Sequence, residues 1–547
     1  MRSRRDGYTL PGVFAATGVA VARNHSLTSE RAVESPMSLS ITNTLSGERE
    51  PFEPISEDTV LLYLCGLTTS DPAHLGHARA WVHTDVIHRW LSHLGYDVRH
   101  VENFTDVNEK IVARVGEDGD SEADVAEGYV ADLLRDMRGL NLKRADVYPR
   151  VTEHVPEIID LIEALIERGH AYESGGSVYF DVTSFAEYGK LSNQQIGEME
   201  AQGPEEELAE KHNPADFALW KAGGVDPGEI EQHRHEGATP TEAACETAMT
   251  WDSPWGEGRP GWHIECSAMS TTHLGETFDV HVAGQDLVFP HNENEIAQAE
   301  AATGEQFARY WLHVGLLETP APEDSDGTGD TDDDGAAKMS SSLGNYFTVE
   351  AALEEYGANA VRTFLLSTKY GQRQTYSEST VHEAIERAGR LERAHERACE
   401  AADGVGAHTK AADDAFRDAI EDAREAFRTA MNDDLNTRGA LRALDDLSTA
   451  VNRHLDHHKA YDYPALKRAI DAFDELAGDV LGLALGDDHP DGDVRLVEDL
   501  IDLVLSVREE ERAAGNYDRG DDLRDRLDAL GVAVEDEGDD VAFRIDR

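Results

Sequence analysis

Cysteine is rare and widely scattered in this sequence. The 547 residues contain four cysteines, Cys65, Cys245, Cys266 and Cys399, and no two of them form a CxxC pair. A disulfide framework needs more cysteines at closer spacing, so the pattern excludes one and favours a reducing compartment. We therefore expect a cytoplasmic protein.

Positive charge is also in short supply. Only ten of the 49 basic residues are lysine, against 109 acidic residues, and the formal net charge is −60. Such a surface repels nucleic-acid phosphates at low ionic strength. At 1 M salt, however, the Debye length falls to about 3 Å and the repulsion no longer acts at long range. Because the acidic bias is spread over the whole chain, we interpret it as adaptation to a molar-salt cytoplasm rather than as function.

Long apolar stretches are missing as well. No stretch reaches the roughly 18 apolar residues that a membrane span requires. Arg4 and Arg5 precede an apolar stretch, 13–22, that imitates an export signal. Residues 1–36 carry five arginines against three acids, unlike the rest of the chain. We interpret them as a disordered extension upstream of a true start at Met37.

The sequence does contain a βαβ pattern near its beginning. Residues 59–66 form an apolar run typical of a buried strand, 74–94 are typical of a helix, and 97–104 of a second strand. In a doubly wound sheet such a unit binds nucleotides at the carboxyl ends of the strands, beside a helix N-terminus. Cys65 lies at that end of the first strand.

The middle of the chain alternates between structured and polar segments. Residues 121–170 have helical spacing, and a short strand-like stretch follows at 176–182. Sheet-like sequence returns at 278–289, after which Pro290 is expected to open a helix that runs to Ala302. We interpret the remaining polar and acidic segments, 198–210 and 224–249, as surface loops or insertions.

The last third of the chain is predicted to be mostly helical. Residues 323–335 contain seven acids among Gly, Ser and Thr and are typical of a solvated loop. From Val381 to about Leu485 the pattern is that of amphipathic helices. A linker at 486–493 then precedes two helical stretches and a short apolar end, 541–545.

Two short motifs carry residues suited to a nucleoside triphosphate. The tetrad HLGH, 74–77, would place two imidazoles and a glycine backbone against phosphates where a helix begins. Lys338 stands alone in an acidic region and is followed by Met and three serines, and a lysine on a loop can neutralise a leaving pyrophosphate. Each has a plainer interpretation: HxGH strings arise by chance among 24 histidines, and KMSSS is also an ordinary polar turn.

Two further blocks contain possible metal ligands. The block GWHIEC, 261–266, ends in a cysteine, and His291 and Glu295 are four residues apart, so they share one helix face. With two thiolates they would complete a ligand set that zinc accepts. Recognisable zinc sites usually pair their cysteines closely, and Cys266 can equally be a small buried apolar residue.

In their order and spacing, CGLT with HLGH, GRPGWHIECSAMS, GQDLVFPHNENEIAQ and KMSSSLGN resemble the cysteinyl-tRNA synthetases, a family of class I aminoacyl-tRNA synthetases. The resemblance runs from about Glu53 to the C-terminus, and the GWHIEC and FPHxENE blocks are specific to that family. It implies zinc, magnesium with ATP, and the partners L-cysteine, ATP and tRNA(Cys), with no membrane.

The resemblance also implies a set of site residues. The zinc ligands would be Cys65, Cys266, His291 and Glu295. The ATP-binding residues would be His74, Gly76, His77, Lys338 and Ser341, of which His74, His77 and Lys338 would act in catalysis. The residues around the substrate amino acid would be Gly66, Thr105, Trp262 and Asp286. Phe543 and Arg544 are candidates for tRNA contact, although Phe543 could instead pack a small C-terminal domain.

The sequence departs from the family pattern at three places. Ser341 stands where the family has a second lysine, so it could meet ATP only through its hydroxyl or backbone. His291 is retained, while Asn292 replaces the next histidine of the family's FPHHENE. The acidic segment 323–335 is also unlike typical members.

The predicted fold is an α/β, Rossmann-like catalytic domain with a doubly wound parallel sheet and an inserted domain, followed by an all-α helical bundle and a small C-terminal α+β unit. The expected boundaries are 1–36 for the extension, 37–145 and 251–322 for the two halves of the catalytic domain, 146–250 for the inserted region, 323–380 for the acidic segment, KMSKS-type loop and stem, 381–485 for the anticodon-binding bundle, and 486–547 for the linker and C-terminal unit.

The predicted reaction has two steps: cysteinyl-adenylate forms from cysteine and ATP, and the cysteinyl group then passes to the 3′ end of tRNA(Cys). Zinc would select cysteine because an apolar pocket discriminates by only about 1–3 kcal/mol, whereas serine's hydroxyl is a poorer ligand for this site. We expect a monomer without an editing site. Two alternatives stay open: an enzyme that joins cysteine to a sugar amine, which should lack the helical tail, and a non-catalytic RNA-binding paralogue, suggested by Ser341.

Overall fold

The structure is a computed structural model. It describes residues 38–199, 201, 207–235, 241–320, 336–339 and 346–486, scattered positions between 504 and 527, and the segments 532–537 and 540–545. At 336–338 and in the last two segments it describes the backbone alone. The predictions for residues 1–36, for the acidic segment 323–335 and for Ser341 lie outside the described residues.

The strands and helices follow one another along the whole described chain. The strands are β1 (Ser40–Asn43), β2 (Glu48–Pro51), β3 (Thr59–Thr68), β4 (Asp97–Thr105), β5 (Ala171–Ser174), β6 (Ser177–Phe180), β7 (Phe217–Ala222), β8 (Gly258–Pro260), β9 (Phe278–Gly284), β10 (Ala308–Val314), β11 (Leu317–Pro320), β12 (Ala336–Lys338), β13 (Gln374–Thr375), β14 (Ala407–His408), β15 (Tyr461–Asp462), β16 (Val532–Glu537) and β17 (Asp540–Ile545). The helices are α1 (Leu75–His93), α2 (Glu109–Val112), α3 (Glu122–Gly139), α4 (Val155–Glu167), α5 (Pro227–His233), α6 (Thr241–Cys245), α7 (Trp262–Leu274), α8 (Glu293–Thr303), α9 (Val349–Tyr356), α10 (Ala358–Leu366), α11 (Glu378–Asp403), α12 (Asp414–Asn432), α13 (Thr437–His457) and α14 (Tyr463–Phe473).

A four-stranded parallel sheet, in the order β10-β9-β3-β4, positions the site. Successive side chains of β3 point to opposite faces. Leu62 and Leu64 pack in one apolar core with residues of α1, while Tyr63 and Cys65 pack in another core with residues of α7 and α8. Helices therefore cover both faces, which is why β3 is apolar almost throughout.

The chain leaves β3 for β4 on one side and later returns to place β9 on the other. Such a reversal opens a crevice at the carboxyl ends of the two strands, where ligands bind in doubly wound sheets. Cys65, close to the end of β3, stands at this crevice.

A second sheet, β5-β6-β7-β8, is antiparallel and packs against α4 and α7 through its own apolar core. The prediction of surface loops at 224–249 is wrong in part, because α5 and α6 form there. Ile230 and Ala244 of these helices are buried against Ile111 and Val112 of α2. Val225, Cys245 and Ala248 pack against the same core, so scattered apolar side chains hold this otherwise polar segment to the protein.

The helical stretch predicted at 121–170 is interrupted. Helix α3 ends at Gly139 and α4 begins at Val155, with non-helical chain and one short 3₁₀ turn between them. Asn141 adopts a left-handed backbone with φ of 55°, which stops the first helix. The Leu140 carbonyl left without a helical partner accepts a hydrogen bond of 2.8 Å from Arg362.

Helices α11 to α14 form the predicted bundle, and the fold class is confirmed. Their buried faces are rich in Ala and Leu and belong to the same apolar core as one face of the parallel sheet. Strands β16 and β17 pair as an antiparallel hairpin. Within the described residues, no helix combines the length and apolar character of a membrane span.

Candidate active site

The position of Cys65 near the carboxyl end of β3 depends on the next residue, Gly66. The backbone N–H of Gly66 donates to the side-chain oxygen of Asn103 at 2.9 Å. A Cβ atom at Gly66 would lie 1.6 Å from the backbone oxygen of Asn103, so only glycine permits this approach. Glycine at 66 thus lets β3 pass close to β4 beside the thiol, where the pairing of the two strands is irregular between Leu64 and Leu67.

Four side chains from three parts of the chain meet beside Gly66. Cys65 Sγ lies 3.8 Å from Cys266 Sγ and 3.5 Å from His291 Nε2. His291 Nε2 lies 3.1 Å from Glu295 Oε1. All four side chains are buried, and their possible ligand atoms lie within 4.8 Å of one another. We call Cys65, Cys266, His291 and Glu295 the thiol cluster.

The helix predicted from Pro290 begins later than expected. Residues 288–292 form a wider π turn, within which Phe289 is extended with φ of −139° and ψ of 135°. Regular helix starts only at Glu293. His291 nevertheless faces Glu295, because the turn leads directly into α8. The predicted proximity of the two side chains is present although the predicted helix start is wrong.

The spacing of the thiol cluster fits a tetrahedral metal ion. With zinc–sulfur bonds of about 2.3 Å and zinc–nitrogen bonds of about 2.05 Å, tetrahedral ligands lie about 3.8 Å (S to S) and about 3.5 Å (S to N) apart. The observed separations are 3.8 Å and 3.5 Å. Buried Glu295 Oε1 also has no hydrogen-bond partner among the described residues. The cluster could therefore hold a metal ion.

Electrostatics in the thiol cluster favour protons on sulfur as long as no cation is bound. The hydrogen bond with Cys65 and burial raise the pKa of Cys266 well above its usual value. For Cys65 the hydrogen bond with Cys266 is the largest single influence and lowers the pKa, but burial and the nearby carboxylates, chiefly Glu295, together raise it. Burial would lower the pKa of His291, yet the Glu295 carboxylate raises it to about 10. A bound metal ion would displace these protons, since thiolates are the ligand form.

A layer of buried polar side chains, which sequence reasoning missed, surrounds the thiol cluster. His263 Nδ1 lies 2.9 Å from His291 Nδ1, so one ring donates to the other. His281 Nε2 lies 2.8 Å from Glu295 Oε2. Asn292 donates to the same oxygen at 3.0 Å. The signal for this layer in the sequence is the presence of polar residues inside a buried strand and buried helices.

The thiol cluster opens into a cavity of about 300 Å³ at the ends of the parallel strands. Most of the predicted site residues line it: Cys65, Gly66, His74, Gly76, His77, Thr105, Trp262, Cys266 and Asp286. Trp262, which is 41% exposed, stands at the rim with its ring 4.4 Å from that of His291. One pocket thus joins the candidate metal, amino-acid and ATP residues.

The tetrad forms the N-terminus of α1 and caps it with its own imidazoles. His74 Nδ1 accepts hydrogen bonds from the backbone N–H groups of Gly76 and His77, at 3.1 and 3.4 Å, while the His74 N–H donates to His77 Nδ1 at 3.3 Å. Since both Nδ1 atoms accept, each neutral ring carries its proton on Nε2. A side chain at Gly76 would come within 2.8 Å of the His74 ring, so the cap requires glycine there.

Other predicted residues are described only in part. Lys338 ends β12, next to Met339, which lines the cavity. Phe543 and Arg544 lie in β17 opposite Val534 and Ala533. At Lys338, Phe543 and Arg544 the structure describes no side-chain contacts, so their assigned roles stay predictions.

Comparison with known proteins first identifies the class of protein to which the chain belongs. The family model "tRNA synthetases class I (C) catalytic domain" matches residues 51–386, and "DALR domain" matches 426–486. Among solved structures, methionyl-tRNA synthetase of Mycobacterium tuberculosis with methionyl-adenylate superposes with a TM-score of 0.55 at 16% identity, over 78% of this chain and 92% of that one. The fold and its crevice are those of a class I aminoacyl-tRNA synthetase.

Curated relatives narrow the assignment. Cysteine–tRNA ligase of Haloarcula marismortui is 65% identical over 93% of this chain and 100% of that protein. Cysteine–tRNA ligase of Halobacterium salinarum is 61% identical over 92% and 99%, and that of Thermococcus onnurineus 40% identical over 91% and 98%. The chain belongs to the cysteine–tRNA ligase family.

Proposed function

We propose that the thiol cluster holds zinc and thereby selects cysteine in the reaction of this family. The chain ligates L-cysteine to tRNA(Cys) in two steps, through cysteinyl-adenylate. The match of the observed S to S and S to N separations to tetrahedral zinc carries the proposal. When bound, zinc would supply a soft Lewis acid that prefers a thiolate to a hydroxyl.

The chain's own residues would hold the amino acid next to the thiol cluster. Gly66, Thr105, Trp262 and Asp286 line the cavity at that end. The Asp286 carboxylate would attract the ammonium group of cysteine, and the Trp262 ring would cover the entrance. Removing one methylene from a substrate changes binding by only about 1–3 kcal/mol, so an apolar pocket of this size could not separate cysteine from serine alone.

Adenylate formation needs positioning and charge stabilisation rather than a protein nucleophile. The carboxylate oxygen of cysteine attacks the α-phosphorus of ATP, and pyrophosphate leaves with the electron pair of the broken P–O bond. His74 and His77 carry their protons on Nε2 and would donate them in hydrogen bonds to phosphate oxygens. Lys338, with Ser341 and magnesium, would offset the charge that develops on the pyrophosphate.

We also propose the division of labour among the parts of the chain. The two halves of the catalytic domain, 37–145 and 251–322, flank the inserted region 146–250, and segment 323–380 carries the KMSKS-type loop. The bundle 381–485 and the C-terminal unit 486–547, with Phe543 and Arg544, would bind the tRNA. A monomeric cytoplasmic enzyme remains our expectation. The bundle α11–α14 argues against an enzyme for a sugar amine, because the helical tail is present.

Metal analysis combined with cysteine-dependent exchange of pyrophosphate into ATP, both at molar KCl, tests the proposal. We expect bound zinc, exchange with cysteine, and no exchange with serine. Folded, zinc-loaded protein that catalyses no exchange would contradict the enzymatic function. Exchange by folded protein that never contained zinc would contradict the zinc assignment alone.

The role of Lys338 can be tested separately. Lys338→Ala should slow adenylate formation in a single turnover while cysteine affinity and zinc content stay unchanged, because the lysine would act only on the phosphates. An unchanged single-turnover rate would refute its assigned role.

A further inference from the structure

Arg79 is a fully buried cation on α1, five residues after His74. Its guanidinium reaches acceptors that all lie outside α1. Nε donates to Gly315 O at 2.9 Å, Nη1 to Leu365 O at 3.1 Å and to Gln374 Oε1, and Nη2 to Lys369 O at 3.0 Å, Tyr370 O at 3.5 Å and Gln372 O at 2.7 Å. Six oxygens therefore share the donors of one side chain.

None of these acceptors is a carboxylate. Among the residues that the structure describes, no acidic group lies within ion-pair distance of Arg79, whereas the equally buried Arg362 donates to Asp85 at 2.6 Å. Burial lowers the pKa of Arg79 to about 10. An uncompensated buried cation is costly, so a purely packing role would be served better by an apolar side chain.

The acceptors of Arg79 lead to the strand that carries Lys338. Gln374 belongs to β13, which pairs in parallel with β11 at Leu317. The next residue of β11, Glu318, pairs with Lys338 of β12. Strand β11 begins two residues after Gly315, whose carbonyl also accepts a hydrogen bond from Arg79. The small sheet β12-β11-β13 is thus tied to α1 through one guanidinium.

The start of α1 is held to the chain beyond the KMSKS-type segment as well. Leu75 N–H donates to Phe347 O at 3.0 Å, and Val349 N–H donates to Ala73 O at 2.9 Å. On the near side, Met339 N–H donates to Leu317 O at 2.9 Å. The residues on both sides of segment 340–345 are therefore connected to the start of α1. Those after it are hydrogen-bonded there directly, and those before it are connected through the small sheet and Arg79.

We propose that Arg79 is a positioning residue that sets the place of Lys338 relative to His74 and His77. The inference rests on the proposed function, in which these three side chains meet the phosphates of ATP. The variant Arg79→Lys would keep the charge. However, the three donors of a lysine all lie on one nitrogen atom and could not reach six acceptors that surround a guanidinium. The small sheet would then shift, and a misplacement of about 1 Å can cost about 100-fold in rate.

A double-mutant cycle at molar KCl tests whether Arg79 acts through Lys338. Single-turnover adenylate formation is measured at saturating ATP for the parent, Arg79→Lys, Lys338→Ala and the double variant, each shown to be folded and zinc-loaded. We expect Arg79→Lys to slow the step by about tenfold to 100-fold in the parent, with an unchanged KM for cysteine. In the Lys338→Ala background it should slow the step by less than about twofold, because the residue through which it acts is gone.

Arg362→Lys is the matched control, since Arg362 is equally buried and donates to backbone carbonyls of Leu140 and Leu481 without contacting the small sheet. It should lower stability and leave the rate of the folded protein unchanged. If Arg79→Lys does not fold, Gln374→Met enters the same cycle: it removes the acceptor that Arg79 uses on β13, together with the hydrogen bonds from Gln374 to Phe364 O and Ser367 Oγ. Equal slowing in both backgrounds, or a parent-like rate for the variant, would overturn the inference. An unaltered rate for Lys338→Ala itself would instead refute the proposed role of the lysine.

Discussion

Two clusters in the described part of the chain contain enough histidine, cysteine and acidic groups to hold a metal ion. One is the thiol cluster at the end of β3. The other joins Asp413, at the start of α12, to His454 and His458 at the end of α13. We call these three residues the bundle cluster. The two clusters share ligand types but differ in how their imidazole nitrogens are held.

The difference lies in which ring nitrogens are already used. In the bundle cluster His454 Nε2 accepts the backbone N–H of Asp462 at 3.1 Å, so its proton is on Nδ1 and points to Asp413 at 2.8 Å. His458 Nδ1 lies 3.0 Å from the His454 carbonyl, which can only accept. Both Nδ1 atoms near Asp413 therefore donate to oxygens within the bundle, and a metal ion would have to break these hydrogen bonds. In the thiol cluster, by contrast, His291 Nε2 faces Cys65 and Glu295.

The largest effect is expected from a substitution that removes one side chain of the thiol cluster. Cys65→Ser should lose zinc, and cysteine-dependent pyrophosphate exchange should fall by at least about 100-fold, the upper end for loss of even an outer partner of a metal site. Zinc content and exchange are measured on the same sample. Cys245→Ser is the matched control, because Cys245 packs near α2 and outside the thiol cluster. Full zinc in Cys65→Ser would remove this residue from the ligand set.

A smaller effect is expected from His263, which holds the other nitrogen of His291 at 2.9 Å. His263→Phe should weaken zinc binding by about 10-fold to 100-fold, since outer partners of ligand histidines orient the ring. Competition with a chelator of known affinity measures the change. An unaltered zinc affinity would mean that this contact does not orient His291.

In the bundle cluster we expect a loss of stability and none of zinc. His454→Leu leaves the Asp462 N–H and the Asp413 carboxylate without their partner, which should lower the free energy of unfolding by about 1–3 kcal/mol. Denaturant titration at molar KCl and zinc analysis together check both parts. Loss of zinc from this variant would show that the bundle cluster binds metal and would contradict the difference that we expect between the two clusters.

The smallest effect concerns acid pH. Burial is the largest single influence on Asp413 and raises its pKa, but the hydrogen bonds from His454 and from the Phe416 N–H, together with the nearby charges of His454 and His458, lower it overall. The contribution of this carboxylate to stability is therefore complete above the unfolded-state pKa of about 3.9 and is lost as the pH falls through the lower folded value. Unfolding free energies of the parent and of Asp413→Asn should converge as the pH falls below that range. A constant difference would contradict the assigned pKa shift.

Local patterns predicted the nucleotide-binding part of the fold well. β3, α1 and β4 were expected at 59–66, 74–94 and 97–104 and lie within two residues of those bounds, because apolar periodicity and burial coincide there. At Pro290 the local rule failed. Proline usually opens a helix, but here the chain makes a π turn before α8, within which His291 lies buried beside the thiols.

The layer around the thiol cluster could not be predicted from local patterns. Asn103 and His281 belong to no motif, and His263 lies in the GWHIEC block without any local sign of its contact with His291. Each matters through partners distant along the chain, such as Tyr63, whose hydroxyl donates to Asn103 at 2.8 Å. The resemblance to a family suggested the four candidate ligands but said nothing of what orients them. That information requires the folded arrangement.

The self-capped start of α1 has a consequence for work in concentrated salt. Exposed N–H groups at a helix N-terminus attract any anion, and in molar KCl chloride is the anion present in greatest number. His74 Nδ1 already occupies the N–H groups of Gly76 and His77, so chloride would have to compete with an acceptor that is part of the chain. The proposed phosphate contacts use the Nε2–H groups of His74 and His77 instead, so ATP would not have to displace this cap. If the proposed function holds, the imidazole cap would disfavour chloride at this helix N-terminus without opposing the phosphates.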